Sequence, residues 1–467
     1  MSLFRWTEAE VRQALGGESP YSDEGRAFTR VSTDTRAIGQ GDLFVALVGE
    51  NFDGHDFLPQ AAEAGAAGAV VSTTSGAAPA DMVLFQVSDT LMALGELAAH
   101  RRRALTVPVV GLTGSSGKTT TKEFLKAATS TVRRVHATEG NLNNRIGVPL
   151  TLLAAPDDAE VVIIEMGTSE PGEIARLAEI ARPDLALLIT VSESHLDRLG
   201  SFDGVMEEKL DLLRGRAEGG AAIVGDLPAA LPVRAREVVP EVGVVGESEQ
   251  AGLRPSNVQM DAEGRVSFEW NGTPVQLASA GRHIAYDAWL ALAAAEWLGV
   301  PVRDAARGIE SVQPSRMRNE VRAIGRLSVV VDCYNANPQS TAAAIDMLAA
   351  RSGLRVAFLG SMREMGDRRD AVHADLLDHA IRSGVEIVVA TGDYVSEAVP
   401  APEGLAAAQL LLRIADPAEA YAALRNALGD RPATVLLKAS RGVRLEALLP
   451  RFETDFGVEP INAGEVH

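Results

Sequence analysis

The run Gly111-Leu112-Thr113-Gly114-Ser115-Ser116-Gly117-Lys118-Thr119-Thr120-Thr121 follows the apolar stretch 107–110 and leads into Lys122-Glu123-Phe124-Leu125-Lys126. The pattern predicts a strand, a glycine loop and a helix, which together make a phosphate cradle. Glycines let backbone N–H groups close on phosphate oxygens, and the helix start adds positive potential. Lys118 neutralises charge, and the Thr119 hydroxyl can reach Mg2+. The spacing is irregular, because the usual loop has its first glycine where this chain has Leu112, with glycines here at 111 and 114.

Around this loop the stretches 161–166, 185–191 and 221–224 are near-continuous apolar runs separated by helical patterns. Such runs predict a parallel sheet buried on both faces. Upstream, residues 6–103 alternate short strands and helices, and a helix over 89–103 ends in Arg101-Arg102-Arg103, cations suited to a helix C-terminus. Beyond Gly225 short strands are expected at 266–270 and 275–277, then an alanine-rich helix at 285–298. A third α/β block follows, with strands at 327–332, 355–359, 385–390 and 434–437 and helices at 340–351 and 371–383. The expected fold class is α/β in three domains: residues 1–104, a central P-loop parallel-sheet ATPase domain over 105–314, and a Rossmann-like domain over 315–467.

Length and composition agree with this division. The 467 residues exceed one ordinary core, and 46% hydrophobic with only 4% aromatic content suits helices layered on sheets. With 63 acidic against 44 basic residues the formal charge is -19, which excludes a broadly positive nucleic-acid surface and leaves anions to be held by local cations. Cys333 is the only cysteine, so no intrachain disulfide forms and a reduced cytoplasm is expected. The start of the chain carries acid early and does not read as a signal peptide. The most membrane-like stretch, 284–300, carries Asp287 and Glu296 and reads as a buried helix, so no membrane insertion is expected.

Several polar residues leave buried strands at the same sheet edge. Glu165 closes one strand, where it is placed to bind Mg2+ with Thr119 or to cap a helix, and Gly167-Thr168-Ser169 after it favours the first. His195 lies just past the next strand and suits a metal, a substrate or a structural hydrogen bond. Lys209, among acids on the helix 202–214, reads by itself as a solvated lysine. His283 and Asp287 stand four apart and share a helix face. Asp332-Cys333-Tyr334-Asn335-Ala336-Asn337-Pro338 forms a polar loop after a buried strand, and Lys438-Ala439-Ser440-Arg441 leaves another with two cations suited to phosphate or carboxylate. Ser32-Thr33-Asp34-Thr35-Arg36 and Asp53-Gly54-His55-Asp56-Phe57 are polar turns, with Arg36 suited to a diphosphate. Asn141-Leu142-Asn143-Asn144 offers amides for sugar or peptide groups.

In this order the blocks resemble the Mur ligases of peptidoglycan synthesis, over almost the whole chain. The loop form Gly111-x-Thr113-Gly114-x-x-Gly117-Lys118-Thr119 is the family's own, and Glu165-Met166-Gly167, Ser194-His195-Leu196, Tyr334 to Pro338 and Glu364-Met365-Gly366 are further shared blocks. The likeness is strongest to the member that joins D-alanyl-D-alanine to UDP-N-acetylmuramoyl-tripeptide. It implies that the first domain holds the UDP-sugar through Ser32 and Arg36, the second binds ATP, and the third brings the dipeptide. Gly114, Ser115, Ser116, Gly117, Lys118, Thr119 and Thr120 would hold the nucleotide, with Asp287, Arg316 and Asp332. Thr119, Glu165, His195 and a carbamylated Lys209 would hold Mg2+. Asn143, Asn144, Asn335, Asn337, Lys438 and Arg441 would meet the substrates, and Lys118, Glu165, His195, Lys209 and Arg316 would carry catalysis. Ile284 and Asp287 replace asparagines usual in the family, Cys333 stands where a second aspartate is common, and Ser315 where a glycine often precedes Arg316. A monomer with hinges near residues 104 and 314 is expected. The alternatives are a sister ligase or a folylpolyglutamate synthetase, against which the loop 335–338 argues, and a P-loop kinase or nucleotide-binding module without amide chemistry.

Overall fold

The apolar runs around the glycine loop form a six-stranded, all-parallel sheet in the computed structural model, which describes residues 4–17, 25–72 and 81–457. In spatial order the strands are Gly243–Val245, Ala221–Gly225, Leu185–Leu188, Val109–Thr113, Val161–Glu165 and Val135–Ala137. Helices cover both faces, which is why the central strands carry apolar residues without alternation. After Val161–Glu165 the chain crosses the P-loop strand to Leu185–Leu188, so strand order reverses there and a crevice opens at the carboxyl ends of these three strands. The two edge strands, three residues each, fell outside the sequence reading because so short a segment carries no periodic signal.

Upstream, Val31–Ser32, Leu43–Val45, Gly68–Val71 and Val83–Gln86 form a four-stranded parallel sheet. The helix Thr90–Ala104 links it to the central sheet. Asp89 caps its start by accepting from the backbone N–H of Leu91 and Met92 at 2.7 and 2.9 Å. Two of its three terminal arginines are buried. Arg101 donates to Ala155 O and Asp157, and Arg102 to Ala181 O, Arg182 O and Asp184 Oδ2, all at 2.7 to 3.0 Å. One apolar cluster runs from Trp6 and Leu97 through Leu152 and Leu177 to Val244, so the first sheet and one face of the central sheet share a core.

The other face is closed by an antiparallel sheet, Ser256–Met260, Arg265–Trp270 and Thr273–Ala280, and by the helix Arg282–Trp297. That helix packs against the P-loop helix Lys118–Ser130 and is buried from Ile284 to Ala295. Among the described residues no helix is long and apolar enough to cross a membrane.

The last unit is a six-stranded sheet ordered Glu320–Ile324, Leu327–Asp332, Ala433–Lys438, Leu354–Leu359, Ile387–Ala390 and Leu410–Arg413, with only the first strand antiparallel. It has its own apolar clusters on its two faces. In the register, Asp332 and Lys438 are partners at the carboxyl ends of adjacent strands, which directs both towards the crevice of the central sheet.

Candidate active site

A cavity of about 870 Å3 lies between the central and C-terminal sheets. Its lining includes Ser115, Ser116, Gly117, Lys118, Thr119, Thr120, Asn143, Asn144, Glu165, His195, Asp287, Asp332, Asn335, Asn337 and Lys438, so the fold brings most of the sequence-derived site to one place. Six other positions are absent from that lining: Gly114, Lys209, Arg316, Arg441, Ser32 and Arg36. Arg36 is exposed in the turn Thr35–Ala37 after the strand Val31–Ser32 and paired with Asp34 at 2.7 Å, while Ser32 is buried and donates to Asp34 O.

Packing accounts for the irregular glycine spacing. A Cβ at Gly111 would stand 3.0 Å from Met166 Cε and the Pro183 ring, whereas Leu112 points into the core on the opposite face. Gly117 has φ +82°, in the left-handed region, and caps the P-loop helix. A Cβ there would lie 2.2 Å from Asp287 Oδ1. Lys118 Nζ donates to Gly114 O at 2.7 Å, and burial holds its ammonium below the ordinary range, partly offset by Glu165.

Glu165 is 2% exposed. Its Oε1 accepts from Asn143 Nδ2 at 2.8 Å and Thr119 Oγ1 at 3.3 Å, and its backbone N–H donates to Thr138 Oγ1. Its Oε2 has no hydrogen-bond partner, and Lys122 Nζ stands 3.9 Å away. A buried carboxylate oxygen with no hydrogen-bond donor, beside the P-loop threonine, suits a hard cation. Among the described residues no three His, Cys, Asp or Glu side chains converge on a metal position, so Mg2+ there would need nucleotide oxygens and water for its remaining ligands.

Lys209 is 2% exposed rather than solvated. Its helix Phe202–Arg214 turns Glu208 and Lys209 inward, and Glu208 accepts from Thr168 Oγ1 and from the backbone N–H of Gly172 and Ile174. Burial, then the Lys118 charge, brings the Lys209 amine down to about 7, with Glu208 opposing. Asp287 is also buried, and burial raises its carboxyl well above the ordinary value against the smaller pull of Thr121 and Arg318.

The C-terminal unit contributes Asn337, which caps the helix Pro338–Ala349 by accepting from Ser340 N at 2.8 Å and donates to Ser116 Oγ at 3.0 Å and Ser115 O at 3.2 Å. Lys438 pairs with Asp332 Oδ2 at 2.8 Å and donates to Asn335 O at 2.9 Å. Arg316 is exposed, whereas Arg318, two residues on, lines the cavity with its guanidinium 4.1 Å from the Tyr334 ring centroid. Both lie in the turn ahead of the strand Glu320–Ile324, where Met317 and Asn319 have left-handed backbones, φ +58° and +53°, so the local turn and not strand alternation sets their directions, and the sequence reading, which followed the residue after Ser315, missed Arg318. Arg441 turns away to pair with Glu446.

Across the same junction, His195 Nδ1 lies 2.6 Å from Glu364 Oε2, off the line of a straight hydrogen bond, and this contact holds the Glu364 carboxyl below its ordinary range. Leu196 N donates to Glu364 O at 3.0 Å, and Arg368 pairs with Glu193 at 3.0 Å.

Three family models match the chain: Mur ligase family, catalytic domain, over residues 27–102; Mur ligase middle domain over 112–295; and Mur ligase, glutamate ligase domain, over 316–441. The UDP-N-acetylmuramoyl-tripeptide--D-alanyl-D-alanine ligase of Bacillus subtilis is 37% identical over 351 residues, covering 74% of this chain and 76% of its own. The crystal structure of MurF from Acinetobacter baumannii is 30% identical, with a TM-score of 0.87 over 97% of this chain and 100% of that one. The MurF ligase of Thermotoga maritima in complex with ADP is 28% identical, with a TM-score of 0.80 over 91% of this chain and 97% of that one.

Proposed function

The chain belongs to the Mur ligase family, and from that premise we propose that it is an ATP-dependent ligase joining D-alanyl-D-alanine to UDP-N-acetylmuramoyl-tripeptide in peptidoglycan precursor synthesis. The observation that carries the reading is the cavity itself, where the phosphate cradle of the central sheet faces the Asn335-Ala336-Asn337 loop and Lys438 of the last sheet.

The tripeptide's terminal carboxylate attacks the γ-phosphorus of ATP, an acyl phosphate forms and ADP leaves. The amine of D-alanyl-D-alanine then attacks the acyl carbon, and phosphate departs with the bonding pair as the amine loses its proton. The first step brings anions together, so cations fixed in a dry cavity supply most of the stabilisation. Lys118 and Arg318 are placed for that work. Thr119 and Glu165, whose Oε2 has no hydrogen-bond donor, would hold Mg2+, which when bound neutralises phosphate charge.

Lys209 supports a finer reading. A buried amine brought down to about 7 is unprotonated often enough to take up CO2, forming an N–C bond and releasing a proton, so that a buried cation becomes an anion beside Lys118. His195 would join the metal's outer ligands from the cavity wall. Ser32 and Arg36 would receive the UDP-sugar on the first sheet.

The divisions 1–104, 105–314 and 315–467 fit this scheme, with closure about residue 314, between the helix Val302–Glu310 and the strand Glu320–Ile324. The helix Thr90–Ala104 is tied to the central sheet by Arg101 and Arg102, so any bending near 104 falls ahead of that helix. We take the working form to be a monomer in the cytoplasm, where ATP and the nucleotide substrate are found. Mixing the protein with ATP, UDP-N-acetylmuramoyl-tripeptide and D-alanyl-D-alanine should give ADP, phosphate and the pentapeptide nucleotide in equal amounts by mass spectrometry. ADP without amide product would leave a kinase or ATPase instead.

A further inference from the structure

Two loops from different units meet at the edge of the cavity. His195 and Glu364 both have left-handed backbones, φ +52° and +66°, unusual for residues with a Cβ. Such conformations persist only where surrounding contacts hold them. Here the contacts run between the loops: Leu196 N to Glu364 O, Arg368 to Glu193, and the His195 ring to the Glu364 carboxylate. At 2.6 Å the ring nitrogen and the carboxylate oxygen are in contact although bent from a straight hydrogen bond, and a hydrogen on Nδ1 relieves the repulsion that two bare lone pairs would feel there. Nδ1 is buried, while the His195 side chain keeps 22% exposure in the cavity wall. Nε2 is then the nitrogen left for a ligand in the cavity.

We propose that Glu364 is a positioning residue: when the C-terminal unit docks, its carboxylate fixes the His195 ring as the Nδ1–H tautomer with Nε2 towards the cavity, so this wall is complete only in the closed protein. A carboxylate behind a ligating imidazole is a common way to set its orientation, and losing it typically costs about 10- to 100-fold. The inference rests on the ligase reading only for what Nε2 meets; the orientation stands on geometry.

The test uses the full chain labelled with 15N-histidine, with His195 identified by its loss in His195→Gln. Long-range 1H–15N spectra should show wild-type His195 protonated at Nδ1 and bare at Nε2, and Glu364→Ala should shift it towards Nε2–H. Glu364→Gln, whose amide oxygen still accepts, should keep the wild-type pattern. In phosphate-release assays kcat should fall about 10-fold or more in Glu364→Ala, with KM for ATP within about threefold, and Glu364→Gln should recover most of the rate. A His195 signal unchanged in Glu364→Ala, or a wild-type ring bare at Nδ1, would overturn the proposal. So would equal loss of rate in both variants without a change of tautomer, which marks a merely structural contact. Wild-type protein that forms no amide refutes the ligase reading and leaves the tautomer result standing.

Discussion

Asp287 is packed so closely against Gly117 that a single added Cβ on the glycine would lie 2.2 Å from the Asp287 Oδ1. The acid is buried and its carboxyl is raised well above 3.8, first by burial. In the unfolded chain it ionises near that value, while the folded protein holds the proton to higher pH. The folded state is therefore favoured most at low pH, and this contribution is lost as pH rises towards the folded value. Asp287→Asn, which needs no proton, should have the higher Tm, with a gap that widens as pH rises above about 4 by at most about 1.4 kcal/mol per unit. A gap constant with pH would show that Asp287 is ionised in the folded protein.

Arg318 and Arg316 separate cleanly. Arg318 lines the cavity against Tyr334, and Arg316 is exposed. Arg318→Ala should lower kcat by about 100-fold or more, in line with loss of one fixed group that stabilises developing charge, and Arg316→Ala should change it by less than about threefold. Steady-state phosphate release with both substrates present measures both, and the opposite ranking would return the role to Arg316.

Lys209→Ala should remove most activity, and added short-chain carboxylate should restore part of it by supplying the missing anion in the space left behind. Unimpaired activity in the variant would take Lys209 out of the site. Carbamylation itself should appear as a 13C carbonyl signal after equilibration with labelled bicarbonate, absent from the variant.

Arg102→Ala tests the join between the first two units. It leaves Ala181 O, Arg182 O and the partly exposed Asp184 without this donor, and such losses typically cost about 1–3 kcal/mol. Urea unfolding should show the fall. A change under about 1 kcal/mol would mean that water replaces the guanidinium at low cost.

Much of the fold was legible because long apolar runs and helix caps are local signals. The strand Leu327–Asp332 and the helix Phe202–Arg214 lie where the sequence places them. The edge strand Leu410–Arg413 was missed, since none of its residues is fully buried and it follows a proline- and alanine-rich loop. The site divides the same way. Lys118, Glu165 and Asn337 announce themselves by position after a buried strand. The burial of Lys209 depends on which helix face meets the strand Leu185–Leu188, and acids on both sides of it point to solvent. The pairing of His195 with Glu364 is a contact between units, and nothing local encodes it.

The ligase reading is tested most directly by following ADP production with ATP and UDP-N-acetylmuramoyl-tripeptide in the presence and absence of D-alanyl-D-alanine. The account predicts sustained turnover only when the dipeptide is present, because the acyl phosphate has no other acceptor in the closed cavity. ADP production at the same rate without the dipeptide would contradict it.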